Sequence, residues 1–139
     1  MTPNDEYKKL LPSPDNVSRE FFEGVKRHEL LIQQCVSCEK HMSPGRMQCP
    51  LCWSRDLKWV KAKGTGKIYT YSVMHQKYHP GWEEDIPYNF GIVELDEGVR
   101  LHTNFVEIAN DDLKVNLPVE VIFSDVTPDV TLHRFKPVK

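Results

Sequence analysis

The sequence predicts a mainly β protein with a short N-terminal helix, a small metal-binding ribbon and a five-stranded antiparallel barrel. Three observations carry this reading. Four cysteines stand as two Cys-x-x-Cys pairs, 35/38 and 49/52. From residue 57 onward, short β-branched and aromatic runs alternate with Gly, Asn and Asp turns, with no helical stretch between them. Ahead of the cysteines, apolar residues recur at helical spacing.

Residues 1–16 read as an extended lead-in. Pro3, Pro12 and Pro14 break a helix, and Pro14 biases Ser13 to extended backbone. A helix from Ser18 to His28 follows. Ser18 is placed to cap it, and Val17, Phe21, Val25 and His28 fall on one side. Gly24 weakens it by about 1 kcal/mol relative to Ala. So short a helix is marginal alone and needs a surface for Phe21 and Phe22, either its own core or a partner.

Glu29 to Gln34 is a short strand leading into the first cysteine pair. Residues 35–52, with Pro44 and Gly45, read as a loop. The barrel strands follow as Leu57–Lys63, Lys67–Lys77, Phe90–Leu95, Val99–Ile108 and Val119–Ser124, with Leu132–Phe135 as a further edge. Gly64-Thr-Gly66 supplies a kink or bulge, residues 78–88 a loop, Asp96-Glu-Gly98 a hairpin turn, and Asn110-Asp-Asp112 another turn. A five-stranded OB-fold fits this pattern best, and a small sandwich comes second. The domain reading is 1–28 arm and helix, 29–60 zinc ribbon, 61–139 barrel.

The cysteine pairs carry the strongest chemical signal. Two residues between cysteines let one tight turn aim both sulfurs at a point, and two such turns complete a tetrahedron. Cys35, Cys38, Cys49 and Cys52 are therefore read as the ligands of one structural zinc. A site closed by four cysteines leaves no position for water or substrate, so the metal does no chemistry. Two disulfides are the alternative. They are disfavoured because the N-terminus lacks the basic-then-apolar pattern of a secretory signal and the chain is read as cytoplasmic. A redox Cys-x-x-Cys lacks its βαβ setting, and the zinc deaminase pattern fails because no His-x-Glu occurs and Gln48, not Pro, precedes Cys49.

Composition narrows the function. Hydrophobic content of 40% and charged content of 27% describe a globular chain, and no apolar run reaches the ~20 residues of a membrane span. Residues 1–80 carry 13 Lys+Arg against 8 Asp+Glu, while residues 81–139 carry 5 against 12. The basic front suits phosphate, of a nucleic acid or a phosphorylated cofactor. Lys40, Arg46, Lys61, Lys63 and Lys67 cluster around the ribbon and first barrel strands. Tyr69, Tyr71, Phe90 and Phe105 are candidate stacking platforms for single-stranded nucleic acid, though the acidic overall balance opposes a generic binder. No Gly-x-Ser-x-Gly, Ser-x-x-Lys or phosphate loop occurs, and no isolated histidine stands out as a base. His75 and His79 end a strand, and their spacing is read as incidental. No catalytic residue is assigned.

Taken in order, these pieces resemble the OB-fold proteins with an N-terminal rubredoxin-like zinc ribbon that associate with acyl-CoA enzymes. The matching residues are Phe21, Leu30-Leu-Ile-Gln-Gln-Cys35, Cys38, Pro44-x-Arg46, Cys49-Pro-x-Cys52, Gly64-x-Gly66-x-Ile68-Tyr-Thr-Tyr-Ser-Val73, Pro87-Tyr88, Val93-Glu-Leu-Asp-Glu-Gly98, Leu117-Pro-Val-Glu-Val121 and Phe135-Lys-Pro137. The resemblance covers about Pro14 to Pro137. The sequence departs at Glu39 and Trp53, where the family has Gly after each second cysteine. The resemblance implies a non-catalytic zinc-binding subunit of an acyl-CoA thiolase complex, in a degradative pathway such as aromatic compound breakdown. Its helix and ribbon would pack on a thiolase-fold partner in a hetero-oligomer. Lys40, Arg46 and Lys63 would meet the phosphates of a coenzyme A thioester. The alternatives are a subunit of an acyl-CoA hydratase complex and a nucleic-acid binding OB module. With all four cysteines committed to metal, a thiolase's cysteine nucleophile must sit on another chain.

Overall fold

Residues 9–138 are described by the computed structural model of the protein. The helix, α1 (Arg19–Lys26), is shorter than its apolar spacing predicts. Ser18 holds the N-cap position without capping through its side chain. Its hydroxyl donates instead to Asp15 Oδ1 at 2.9 Å, and that oxygen also accepts the backbone N–H groups of Val17 and Ser18. The Ser18 N–H foremost holds the Asp15 carboxyl below its ordinary range.

At the other end, His28 terminates the helix rather than continuing its face. It adopts φ +63°, its N–H bonds to the Val25 carbonyl, and the Glu29 N–H reaches back to Gly24. This is a Schellman termination with histidine where glycine is usual. The imidazole stacks on Phe123 and sits 3.0 Å from Asp125 Oδ1, which fastens the turn to the barrel. Phe21 and Val25 are buried in the protein's own core, beside Leu30 and Ile32.

Two antiparallel sheets follow. In the first, β1 (Leu31–Cys35) lies between β2 (His41–Met42) and β3 (Leu57–Lys61). Within the segment read as loop, β2 forms because the first cysteine turn folds the chain back, pairing Gln33 with Met42. The second sheet comprises β4 (Thr65–Met74), β5 (Tyr88–Leu95), β6 (Arg100–Thr103), β7 (Pro118–Asp125) and β8 (Thr131–Pro137), in the order β6-β5-β4-β7-β8. It curls until its outer strands approach. Phe105 forms a parallel bridge with Phe135, and the Val106 N–H donates to the Phe135 carbonyl at 2.9 Å. A five-stranded antiparallel sheet curled in this way is an OB-fold arrangement.

Strand β6 stops well before Ile108. The buried Asn89 side chain takes both backbone groups of Phe105, at 2.6 and 2.7 Å, where a ladder partner would otherwise stand. The bulge in β4 falls at Tyr69, between the paired Ile68 and Thr70, and not at the glycines. Gly64 turns the chain at φ +84°, and a Cβ on Gly66 would lie 2.3 Å from the Glu94 carbonyl oxygen. The core is continuous from α1 and β1 into the curled sheet, through Ile68, Val93, Val119 and Phe135. Among the described residues, no helix is long and apolar enough to cross a membrane.

Candidate metal centre and adjoining cleft

The four cysteine sulfurs lie within 4.8 Å of one another. Cys35 and Cys52 Sγ are 3.5 Å apart, and Cys38 and Cys49 Sγ 3.7 Å. A tetrahedral zinc with Zn–S bonds of about 2.3 Å sets its sulfurs about 3.8 Å apart, so the donor set fits the metal. Cys35 and Cys49 are buried, and Cys38 and Cys52 face out.

The two turns are built alike. The N–H of the residue after each pair donates to the first cysteine's carbonyl: Glu39 to Cys35 at 2.9 Å and Trp53 to Cys49 at 3.0 Å. The glutamine before each pair caps the same turn, Gln34 Nε2 donating to Glu39 O and Gln48 Nε2 to Trp53 O. Backbone N–H groups also point at the sulfurs, from Cys38 to Cys35 and from Leu51 to Cys49, both at 3.4 Å. Such donors favour thiolate. The Cys52 N–H foremost, with that of Leu51, lowers the Cys49 thiol to about 6 against the effect of burial. A satellite core of Met42 and Leu57 backs Cys35 and Cys49.

Glu39 and Trp53 hold φ of +66° and +68°, the left-handed region where Gly costs least. A side chain there costs about 1–2 kcal/mol, while Gly adds about 0.5–1 kcal/mol of unfolded-chain entropy. Glu39→Gly is therefore expected to stabilise the protein by roughly 0.5–1 kcal/mol in chemical denaturation. A loss of stability would show that the glutamate side chain holds the turn.

Gln33 is a structural residue the sequence reading missed. Buried in β1, it grips Arg46 through two bonds: Nε2 donates to Arg46 O at 3.0 Å, and the Arg46 N–H donates to Oε1 at 2.8 Å. A polar residue directly after Leu30-Leu-Ile, within a strand, was its only signal.

The predicted cations separate. Lys40 and Arg46 line one groove of about 320 Å³ between the ribbon and β6, together with Arg100. Lys63 does not line it. Lys61 and Lys67 face carboxylates, Glu29 at 3.9 Å and Glu94 at 3.8 Å. Ser43 and Arg100 also line a second cavity of about 360 Å³, walled by Phe21, Phe22, Pro44 and Leu101. The two spaces adjoin at Ser43 and Arg100 and are treated together as one cleft, with Lys40 and Arg46 at one end and mostly apolar residues at the other. Of the candidate platforms, Tyr69 and Phe90 are exposed, Tyr71 is half-buried and Phe105 is buried. Arg100 lies over Tyr69, and Phe90 stacks on His102. His79 caps the 3₁₀ turn Pro80–Asp85, its Nδ1 accepting from the Gly81 N–H.

A four-cysteine ribbon joined to a curled OB sheet defines a class of two-module zinc proteins. Residues 22–58 match the family model described as the ChsH2 rubredoxin-like zinc ribbon domain, and residues 59–124 match the ChsH2 C-terminal OB-fold domain. The chain is 31% identical over 121 residues to a DUF35 domain-containing scaffold protein of Methanocaldococcus jannaschii, covering 82% of this chain and 85% of that one. The protein belongs to this DUF35 family of zinc-ribbon OB-fold proteins.

It is also 40% identical over 134 residues to a probable enoyl-CoA hydratase alpha subunit of Thermomonospora curvata. That match covers 94% of this chain but spans only 41% of that relative's length. A third relative, benzoylsuccinyl-CoA thiolase subunit BbsA of Thauera aromatica, is 25% identical over 92 residues, covering 66% of this chain and 56% of that one. The solved structure titled Ltp2-ChsH2(DUF35) aldolase contains a chain that superposes with a TM-score of 0.82 at 39% identity, covering 91% of this chain and 98% of that one.

Proposed function

We propose that the protein is a non-catalytic zinc-binding subunit of an acyl-CoA thiolase complex. In this role it helps bind the coenzyme A thioester and assemble the partner, in a degradative pathway such as aromatic compound breakdown. The two-ended cleft carries the reading. Lys40 and Arg46 have no carboxylate partner among the described residues and suit phosphates, while Phe22, Pro44 and Leu101 offer an apolar recess. The relatives' names support acyl-CoA chemistry, and one of them is a thiolase subunit.

The ribbon offers a surface for the partner. Val36, Met47, Leu51 and Trp53 stand exposed on the metal-fixed turns, with Met47 and Trp53 both 74% exposed. Large apolar groups left in water on a rigid scaffold mark an interaction site. The helix keeps Phe21 and Val25 for its own core, so the ribbon carries more of this contact than α1.

Reversing both cations (Lys40→Glu with Arg46→Glu) is expected to weaken coenzyme A thioester binding by the co-purified complex roughly tenfold, as for one or two exposed phosphate contacts. Unchanged affinity in a calorimetric titration would remove the cleft from the thioester site. If no thiolase-fold protein co-purifies, the subunit reading fails.

Two alternatives have their own support. A hydratase complex is favoured by the Thermomonospora relative, and assaying the co-purified complex for hydration against thiolysis separates the two. The exposed Tyr69 and Phe90 favour a single-stranded nucleic-acid module, which absence of oligonucleotide binding at low salt would dismiss.

A further inference from the structure

The apolar half of the cleft contains an imidazole that the proposed function does not use. His133 of β8 lines the 360 Å³ cavity opposite Phe22 and Pro44. Its Nε2 lies 2.9 Å from the His102 backbone oxygen. A carbonyl oxygen only accepts, so the proton belongs on Nε2 and the tautomer is fixed. Phe21 and Phe135 meet the ring edge to face, with centroids at 5.5 and 6.4 Å, and hold its plane. Nδ1 has no hydrogen-bond partner among the described residues. The charged groups nearby are Arg100, which lines the cavity, and the adjacent Arg134, and no carboxylate lines it. Burial foremost, with Arg134 adding repulsion and against the His102 hydrogen bond, lowers the imidazole pKa from its ordinary value and so favours the neutral ring with its lone pair on Nδ1.

A mostly apolar recess that adds a fixed acceptor to the Ser18 and Ser43 hydroxyls and the His102 ring discriminates by hydrogen bonding. It favours a ligand that supplies a donor over an isostere that does not. A thioester with its phosphates at Lys40 and Arg46 would extend its acyl end toward the cavity that His133 lines. We infer that His133 is a specificity residue: its Nδ1 accepts a hydrogen bond from a hydroxyl on the acyl chain, so the cleft prefers hydroxyacyl thioesters to plain acyl ones. This inference rests on the cleft being a thioester site.

The test is a calorimetric titration of the zinc-loaded full chain with 3-hydroxyoctanoyl-CoA and with octanoyl-CoA. Both ligands share every phosphate and amide, so their ratio isolates the hydroxyl. Wild type is expected to prefer the hydroxy compound by roughly fivefold, the size of one neutral hydrogen bond. His133→Phe should bind both ligands equally. His133→Asn retains an amide acceptor where Nδ1 stands and should recover part of the preference. A purely structural role for His133 would lower both affinities together and leave their ratio unchanged. Equal binding by wild type, or a preference that survives in His133→Phe, overturns the inference while leaving the cleft as a thioester site. If wild type binds neither thioester, the inference falls together with the reading of the cleft.

Discussion

Cys49→Ser is expected to lose zinc and unfold the ribbon while the curled sheet stays folded. The ribbon segment has almost no core of its own: among the described residues, its hydrophobic cluster consists of Cys35, Met42 and Cys49 with the half-buried Leu57. Apparent zinc-binding free energies of about 10–16 kcal/mol in small finger peptides show how much one metal contributes to such a segment. Cys49 is buried and receives the Leu51 N–H, so serine at this position removes both a ligand and the centre of its turn.

Leu30 and Ile32, by contrast, pack into the main core and should keep β1 attached. Metal analysis should give no stoichiometric zinc. Hydrogen exchange should show lost protection over residues 35–56 and retained protection in β4 and β5. Stoichiometric zinc, or unchanged protection, would refute the assignment of Cys49 as a necessary ligand. In the complex, a variant that loses zinc but still binds its partner would show that the ribbon stabilises the chain without forming the interface.

The metal site was legible because its chemistry is local. Two Cys-x-x-Cys turns constrain their own sulfurs, and spacing alone implies a tetrahedron. The β-rich half was legible from alternation and turn residues, with strand ends shifted by a few residues, but Leu57–Lys61, expected in the barrel, pairs instead with β1 in the ribbon sheet, and the expected extra edge at Leu132–Phe135 is the barrel's fifth strand, β8. What the sequence hid depends on contacts distant in the chain. His28 continues the helical spacing on paper, yet it ends the helix because Phe123 and Asp125, nearly a hundred residues away, receive its ring. Strand β6 ends early because Asn89, from the neighbouring strand, takes over the backbone of Phe105. Lys40, Arg46 and Lys63 look equivalent in sequence. Only the fold places the first two opposite Arg100 and leaves the third outside the groove. His133 was unremarkable as an isolated histidine, and its fixed tautomer depends on the His102 carbonyl across the seam between β6 and β8.

That seam sets the second large effect. Phe135 is fully buried, pairs with Val121 across β7, and bridges Phe105 where the sheet's outer strands meet. Phe135→Ala should cost about 3–5 kcal/mol, because it leaves a cavity at a fully buried position within the core cluster. That is a large share of the ~5–15 kcal/mol available to a domain of this kind. Phe90→Ala removes the same ring from an exposed position and should cost no more than about 1 kcal/mol. Urea denaturation of the pair therefore separates burial at the seam from loss of an aromatic ring as such. Zinc content should remain stoichiometric in Phe135→Ala, because the ribbon's satellite core does not include this residue. A cost below about 1 kcal/mol for Phe135→Ala would mean that the seam contributes little and the sheet is held by its ladders alone. A full cost with zinc retained would show that the seam and the metal stabilise separate parts of one continuous chain.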